Sequence, residues 1–146
     1  MKPPFAALLA ACAFAATAAA AQTTILPGYW ETTNQVVSPF PVKKTEQRCI
    51  RAEDVDKVIA GSPNHNYTCD YPTKEIGGGK IHLAGSCKTR TGDPVPIASD
   101  GVYTRDSLQL DATIRTKIGG VTIPVHGRTT ARRIGDTCPE TPTASK

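Results

Sequence analysis

Apolar and polar positions alternate most cleanly in SLQLDATIRTK, residues 107–117. Leu108, Leu110, Ala112 and Ile114 fall on one face, and Gln109, Asp111, Thr113 and Arg115 on the other. A period of two is the signature of a half-buried antiparallel strand. Arg105-Asp106 turns the chain into this strand from GVYT, and Gly119-Gly120 turns it out towards VTIPVHGRTTARRI. Pro124 within that last segment implies an edge position or a bulge, because proline donates nothing to a sheet ladder. Earlier in the chain, Pro27-Gly28 marks a turn. A strand then runs from about Tyr29 to Val37, SPFP breaks it, and a second runs from about Val42 to Ile50. TRTGDPVP reads as a loop.

Only RAEDVDKVIAG has a helical period. Val55, Val58 and Ile59 make one apolar stripe, and Glu53, Asp54 and Asp56 suit the positive end of a helix dipole. Gly61 and then Pro63 supply the stop. The three acids lack the order of a calcium loop.

The stretch YTCDYPTKEIGGGKIHLAGSC is symmetric: Cys69 lies nine positions before Gly78, and Cys87 nine after it. With Gly77-Gly78-Gly79 as a three-residue connection, Ile76 faces Lys80 and Cys69 faces Cys87. Facing Cβ atoms on antiparallel strands are about 4.5–5.5 Å apart, close to disulfide range. The glycines then make a turn whose register a bridge locks, and Cys49 is left to Cys138. That is one of the three connectivities that four cysteines allow.

The resulting expectation is a mainly β fold. It is a single antiparallel meander curled into a small barrel or half-barrel, with one short helix over an opening and two disulfides; a two-layer sandwich is the alternative. Composition agrees. Beyond Ala21 there are ten Ile, nine Val and eighteen Thr but four Leu, and Cβ branching favours strands. Trp30, the single tryptophan, reads as a core anchor in preference to a groove wall.

The start, MKPPFAALLAACAFAATAAAAQTT, has the layout of a secretory signal peptide with cleavage after Ala21. A membrane anchor needs about 20 strongly apolar residues, and this stretch is shorter and alanine-rich. Leu9 to Cys12 also has the pattern of a lipoprotein processing site, so a lipid anchor on Cys12 is the alternative. The alanines that follow Cys12 favour plain cleavage. Removal of residues 1–21 leaves an even set of cysteines, Cys49, Cys69, Cys87 and Cys138, as an oxidising compartment requires. The domain limits are then 1–21 for the signal, 22–138 for one β-rich domain, and 139–146 for a disordered tail.

Losing Lys2 takes the formal charge from +4 to +3, a mild and dispersed excess that argues against nucleic acid. No cysteine pair or histidine pattern has zinc-ligand spacing. His65, His82 and His126 are isolated, and neither Gly61-Ser62-Pro63 nor Gly85-Ser86-Cys87 makes a nucleophile elbow. The GGGK at 77–80 lacks the rest of a phosphate loop. No acid pair suits a glycosidase, and Asn66-Tyr67-Thr68 is expected to stay unglycosylated after a bacterial leader. No catalytic, cofactor or metal residues are assigned.

The opening Pro27-Gly28-Tyr29-Trp30-Glu31 and the closing Arg132-Arg133-Ile134-Gly135-Asp136-Thr137-Cys138 together resemble a secreted proteobacterial family, domain of unknown function 3617. Its pattern is a signal peptide, a PG-x-WE opening, cysteines in the middle and RRIGD before a final cysteine. The similarity covers nearly all of residues 26–138, with Thr137 as an insertion. The resemblance implies an envelope protein without assigned activity and supplies no catalytic residue. The functional expectation is an exported, periplasmic or secreted binding module, not an enzyme, for an apolar small molecule or an envelope partner, without a cofactor. Its rivals are a hydrolase built around His82 or His126 and a structural or assembly role in the envelope.

Overall fold

The computed structural model describes residues 24–61, 67–89, 92 and 94–139. The leader with Cys12, the loop residues His65 and Asn66, and the tail beyond Pro139 lie outside the described residues. Seven strands form one antiparallel sheet: β1 (Gly28–Ser38), β2 (Val42–Ile50), β3 (Tyr67–Gly77), β4 (Lys80–Thr89), β5 (Pro94–Tyr103), β6 (Ser107–Ile118) and β7 (Val121–Gly135). A 3₁₀ turn at Ala52–Asp54 and the helix α1 (Val55–Ile59) lie between β2 and β3.

The spatial order is β2-β1-β7-β6-β5-β4-β3. From β3 to β7 each strand pairs with the next, and β7 then pairs with β1, so the two ends of the chain meet in mid-sheet. The sheet curls without closing, because β2 and β3 are both edges. The strands of the described residues form one sheet and not the two layers of a sandwich. Its concave face buries Trp30, Ile50, Ile81, Leu83, Tyr103, Leu108 and Ala131, with Ile25, Val55 and Ile59 laid over them. The stripe on α1 is therefore the helix's reason for forming: five residues are too few to be stable alone, and Val55 and Ile59 hold them to the core.

Two local expectations change. The glycine connection is a two-residue turn at Gly78-Gly79, both with positive φ (57° and 79°), so Ile76 faces Ile81 and not Lys80. Paired positive-φ residues make the hairpin turn whose twist matches the strands. A register shift between Asp70 and Thr73 then takes up the extra residue at Tyr71-Pro72 and returns Cys69 to Cys87, with Cα atoms 3.9 Å apart. Proline suits that place because a bulge leaves its ladder position without a donor. Half of TRTGDPVP is also strand: Thr89 ends β4, and Pro94, Val95 and Pro96 begin β5.

The bulge has a seat. A Cβ on Gly85 would lie 2.0 Å from the Asp70 carbonyl oxygen and 2.9 Å from Tyr71 Cα. Gly85→Ala is therefore expected to destabilise by about 1–3 kcal/mol, the usual range for forced overpacking. Urea unfolding measures it, and an unchanged midpoint would refute the close approach.

Pro124 is resolved by strand lengths. Pairing of β1 with β7 ends at Ser38 opposite His126, so Pro124 has a strand neighbour only at Arg115 on β6. The second disulfide joins Cys49 on β2 to Cys138 beyond β7, with Cα atoms 5.5 Å apart.

Candidate functional site

The two end motifs meet where β1 lies against β7. Glu31 faces Arg132, whose Nε and Nη2 donate to Glu31 Oε1 at 2.9 and 2.8 Å. The Arg132 bonds, with one from Gln47, hold the Glu31 carboxyl below its ordinary pKa. Arg133 donates from Nε to the Pro27 carbonyl at 2.9 Å and pairs through Nη1 with Asp136. Trp30 is fully buried and donates its indole N–H to the Leu26 carbonyl at 3.0 Å. These residues hold β1, β7 and the segment before β1 together. The chemistry they do is structural, and Trp30 is a core anchor, not a groove wall.

The segment so held forms one side of a groove. Trp30 fixes Leu26 from its carbonyl side, and Leu26 N–H donates to the Arg105 carbonyl at 2.8 Å. Opposite this segment stand α1 and the edge strand β3. Together they border an open groove of about 700 Å³, with Ile25, Leu26, Val55, Ile59 and Ile76 among its apolar lining. Ile25, Val55 and Ile59 are buried and make the floor, while Ile76 is 36 % exposed on the wall. Lys74 and Asp56 are the charged side chains of the lining, and neither is in an ion pair among the described residues. The lining is mostly apolar with two charged side chains, and the groove is broadly open to solvent.

The histidines lie elsewhere. His82 on β4 faces Asp100 on β5, with Nδ1 2.7 Å from Oδ1, and that bond raises the imidazole pKa. Asp100 faces Asp111, which accepts from Arg128 Nε at 2.6 Å and is held below its ordinary pKa chiefly by that bond. His126 shares a hydrogen bond with Thr113 Oγ1 at 3.1 Å. All of these side chains are on the outer face of the sheet, away from the groove. The histidine with a carboxylate and the histidine with a hydroxyl are thus separate pairs, since the row beside His82 and Asp100 holds Ala84 and Ala98. Among the described residues no group of three His, Cys, Asp or Glu could hold a metal.

The four cysteines among the described residues are in disulfides, and Cys87 is fully buried beside Val95 and Ile97. Sequence reasoning missed the groove residues. Lys74 and Ile76 sit two apart in TKEIGGG, a spacing that gives them a common face, but nothing local says that β3 is an edge.

A family model described as a protein of unknown function (DUF3617) matches residues 25–138. No curated protein and no solved structure matches the chain.

Proposed function

Because the chain belongs to the DUF3617 family, whose description names no activity, we propose its function from its own surfaces: an exported, non-enzymatic module that binds an apolar small molecule. The observation that carries this reading is the groove of about 700 Å³ between the N-terminal segment, α1 and β3. Its volume is in the range of ligand sites, about 300–1,000 Å³. Its floor is made of side chains already buried by the fold, so it is formed before any ligand arrives. Lys74 and Asp56 at its lip favour a ligand with one polar end.

Export is supported by the leader-like start and by the two disulfides, which persist in oxidising compartments. That favours a periplasmic or secreted setting. Among the described residues no helix is long and apolar enough to cross a membrane.

Titration with a fluorescent long-chain fatty acid tests the reading. Saturable binding is expected, with Ile76→Glu abolishing it and Lys74→Ala weakening it, while both variants keep the wild-type fold. At a ligand concentration about 100-fold above Kd, the thermal stability gain should be about 2.7 kcal/mol. No saturation with a long-chain acid, alcohol or amine would rule out the groove as a binding site.

A further inference from the structure

The end of the sheet opposite the groove has a different character. Beside the β4–β5 connection, two hairpins turn at this end. One is the β1–β2 tip, Ser38-Pro39-Phe40-Pro41, between strands that pair out to Val36 and Val42. The other is β6–β7, which runs on past both neighbours: β5 stops pairing with β6 at Ile97 opposite Ile114, and β1 leaves β7 at His126. From Arg115 to Pro124 the ribbon has only its own two strands.

Exposed apolar side chains gather at these tips. Phe40 is 71 %, Val121 63 %, Val42 62 % and Val37 47 % exposed. Single exposed apolar residues need no explanation, but a group at one end of a fold does. The charges on these two hairpins are mostly of one sign. Over residues 34–46 and 112–125 the ionisable groups are Lys43, Lys44, Arg115 and Lys117 against Glu46 alone, and Glu46 pairs with Lys44 at 3.0 Å.

We propose that these two hairpin tips dock the protein on an anionic lipid surface, with Phe40 and Val121 entering the interface and the four cations lying over the headgroups. The chemistry of the tips fits that medium. Pro39 and Pro41 have no backbone N–H, so a tip built from them brings fewer unpaired donors out of water. They also restrict the backbone on both sides of Phe40, which lowers the entropy lost when the ring is ordered. Basic groups beside exposed apolar ones are the arrangement of interfacial binding to acidic lipids. A protein partner is the weaker fit: interface cores are depleted of lysine, and here the apolar groups stand on separate tips. The inference is independent of the groove, which lies at the other end of the sheet and stays open when the tips dock.

Co-sedimentation of the purified chain with phosphatidylglycerol vesicles and with phosphatidylcholine vesicles tests it. Partition into the acidic vesicles at low salt is expected, at least about tenfold above the neutral ones, and falling as salt rises. Phe40→Ser with Val121→Ser should reduce it about tenfold through lost interfacial burial. Since both side chains are already exposed, the thermal midpoint should not move. Lys43→Gln with Lys117→Gln should weaken the salt dependence. Absence of partition into acidic vesicles overturns the proposal, as does binding unchanged by the two serines. Self-association in sedimentation velocity that the serines abolish also overturns it, because the tips would then belong to a second copy of the chain.

Discussion

Replacing Cys49 and Cys138 together with alanine should lower stability by about 4–5 kcal/mol, against about 3 kcal/mol for the Cys69 and Cys87 pair. The difference follows from the loops closed. The first bridge spans 89 positions and the second 18, and cross-linking removes more freedom from the unfolded chain when the loop is long. For a domain of this size about 4 kcal/mol corresponds to a fall of roughly 15 °C in thermal midpoint. The long bridge also has a position that the short one lacks. Cys49 is on the edge strand β2 and faces Tyr29, which itself faces Gly135 on β7, so Cys138 reaches past β1 to hold the edge. Thermal unfolding of the two double variants checks the order. Equal losses, or a larger loss at Cys69 and Cys87, would show that the long bridge does not act through the unfolded chain.

Trp30→Ala should cost about 3–5 kcal/mol, the range for emptying a large aromatic site in a packed core. Trp30 is fully buried and belongs to the cluster that joins Ile25, Ile50, Leu83 and the helix residues Val55 and Ile59. Phenylalanine in its place refills part of the volume but leaves the Leu26 carbonyl without the indole donor. Trp30→Phe is therefore expected to lose about 1–3 kcal/mol and to loosen residues 24–27. On the reading proposed above it should also weaken fatty-acid binding, since that segment is one side of the groove. Circular dichroism is the measurement, because either change removes the single tryptophan and its fluorescence. A Trp30→Ala protein as stable as the parent would mean that the core is organised around something else.

Much of the fold was legible because strand patterns are local. The SPFP break placed β2 at about Val42 to Ile50, where the strand lies. The stripe in RAEDVDKVIAG located α1, and the face of β6 followed from its period of two. The hairpin at the glycines was legible in outline and wrong in detail. Two glycines make the turn, and Tyr71-Pro72 compensates, because the symmetric spacing of the cysteines did not distinguish a three-residue turn from a two-residue turn with a bulge. The end motifs were visible as motifs, but not as partners. Glu31 and Arg132 are 101 positions apart, and no periodicity connects them.

By itself, then, the amino-acid sequence determined the class of the protein: mainly β, one short helix, and paired cysteines in a glycine-turned hairpin. These depend on side-chain alternation and turn chemistry within a few residues. Tertiary structure alone decided that β7 returns to β1, that β2 and β3 are left as edges, and that Lys74 and Ile76 face α1 across a groove. The physical reason is that a strand's pattern says which face is buried and says nothing of which strand lies beside it. That choice is made by the whole set of pairings and by one shared core.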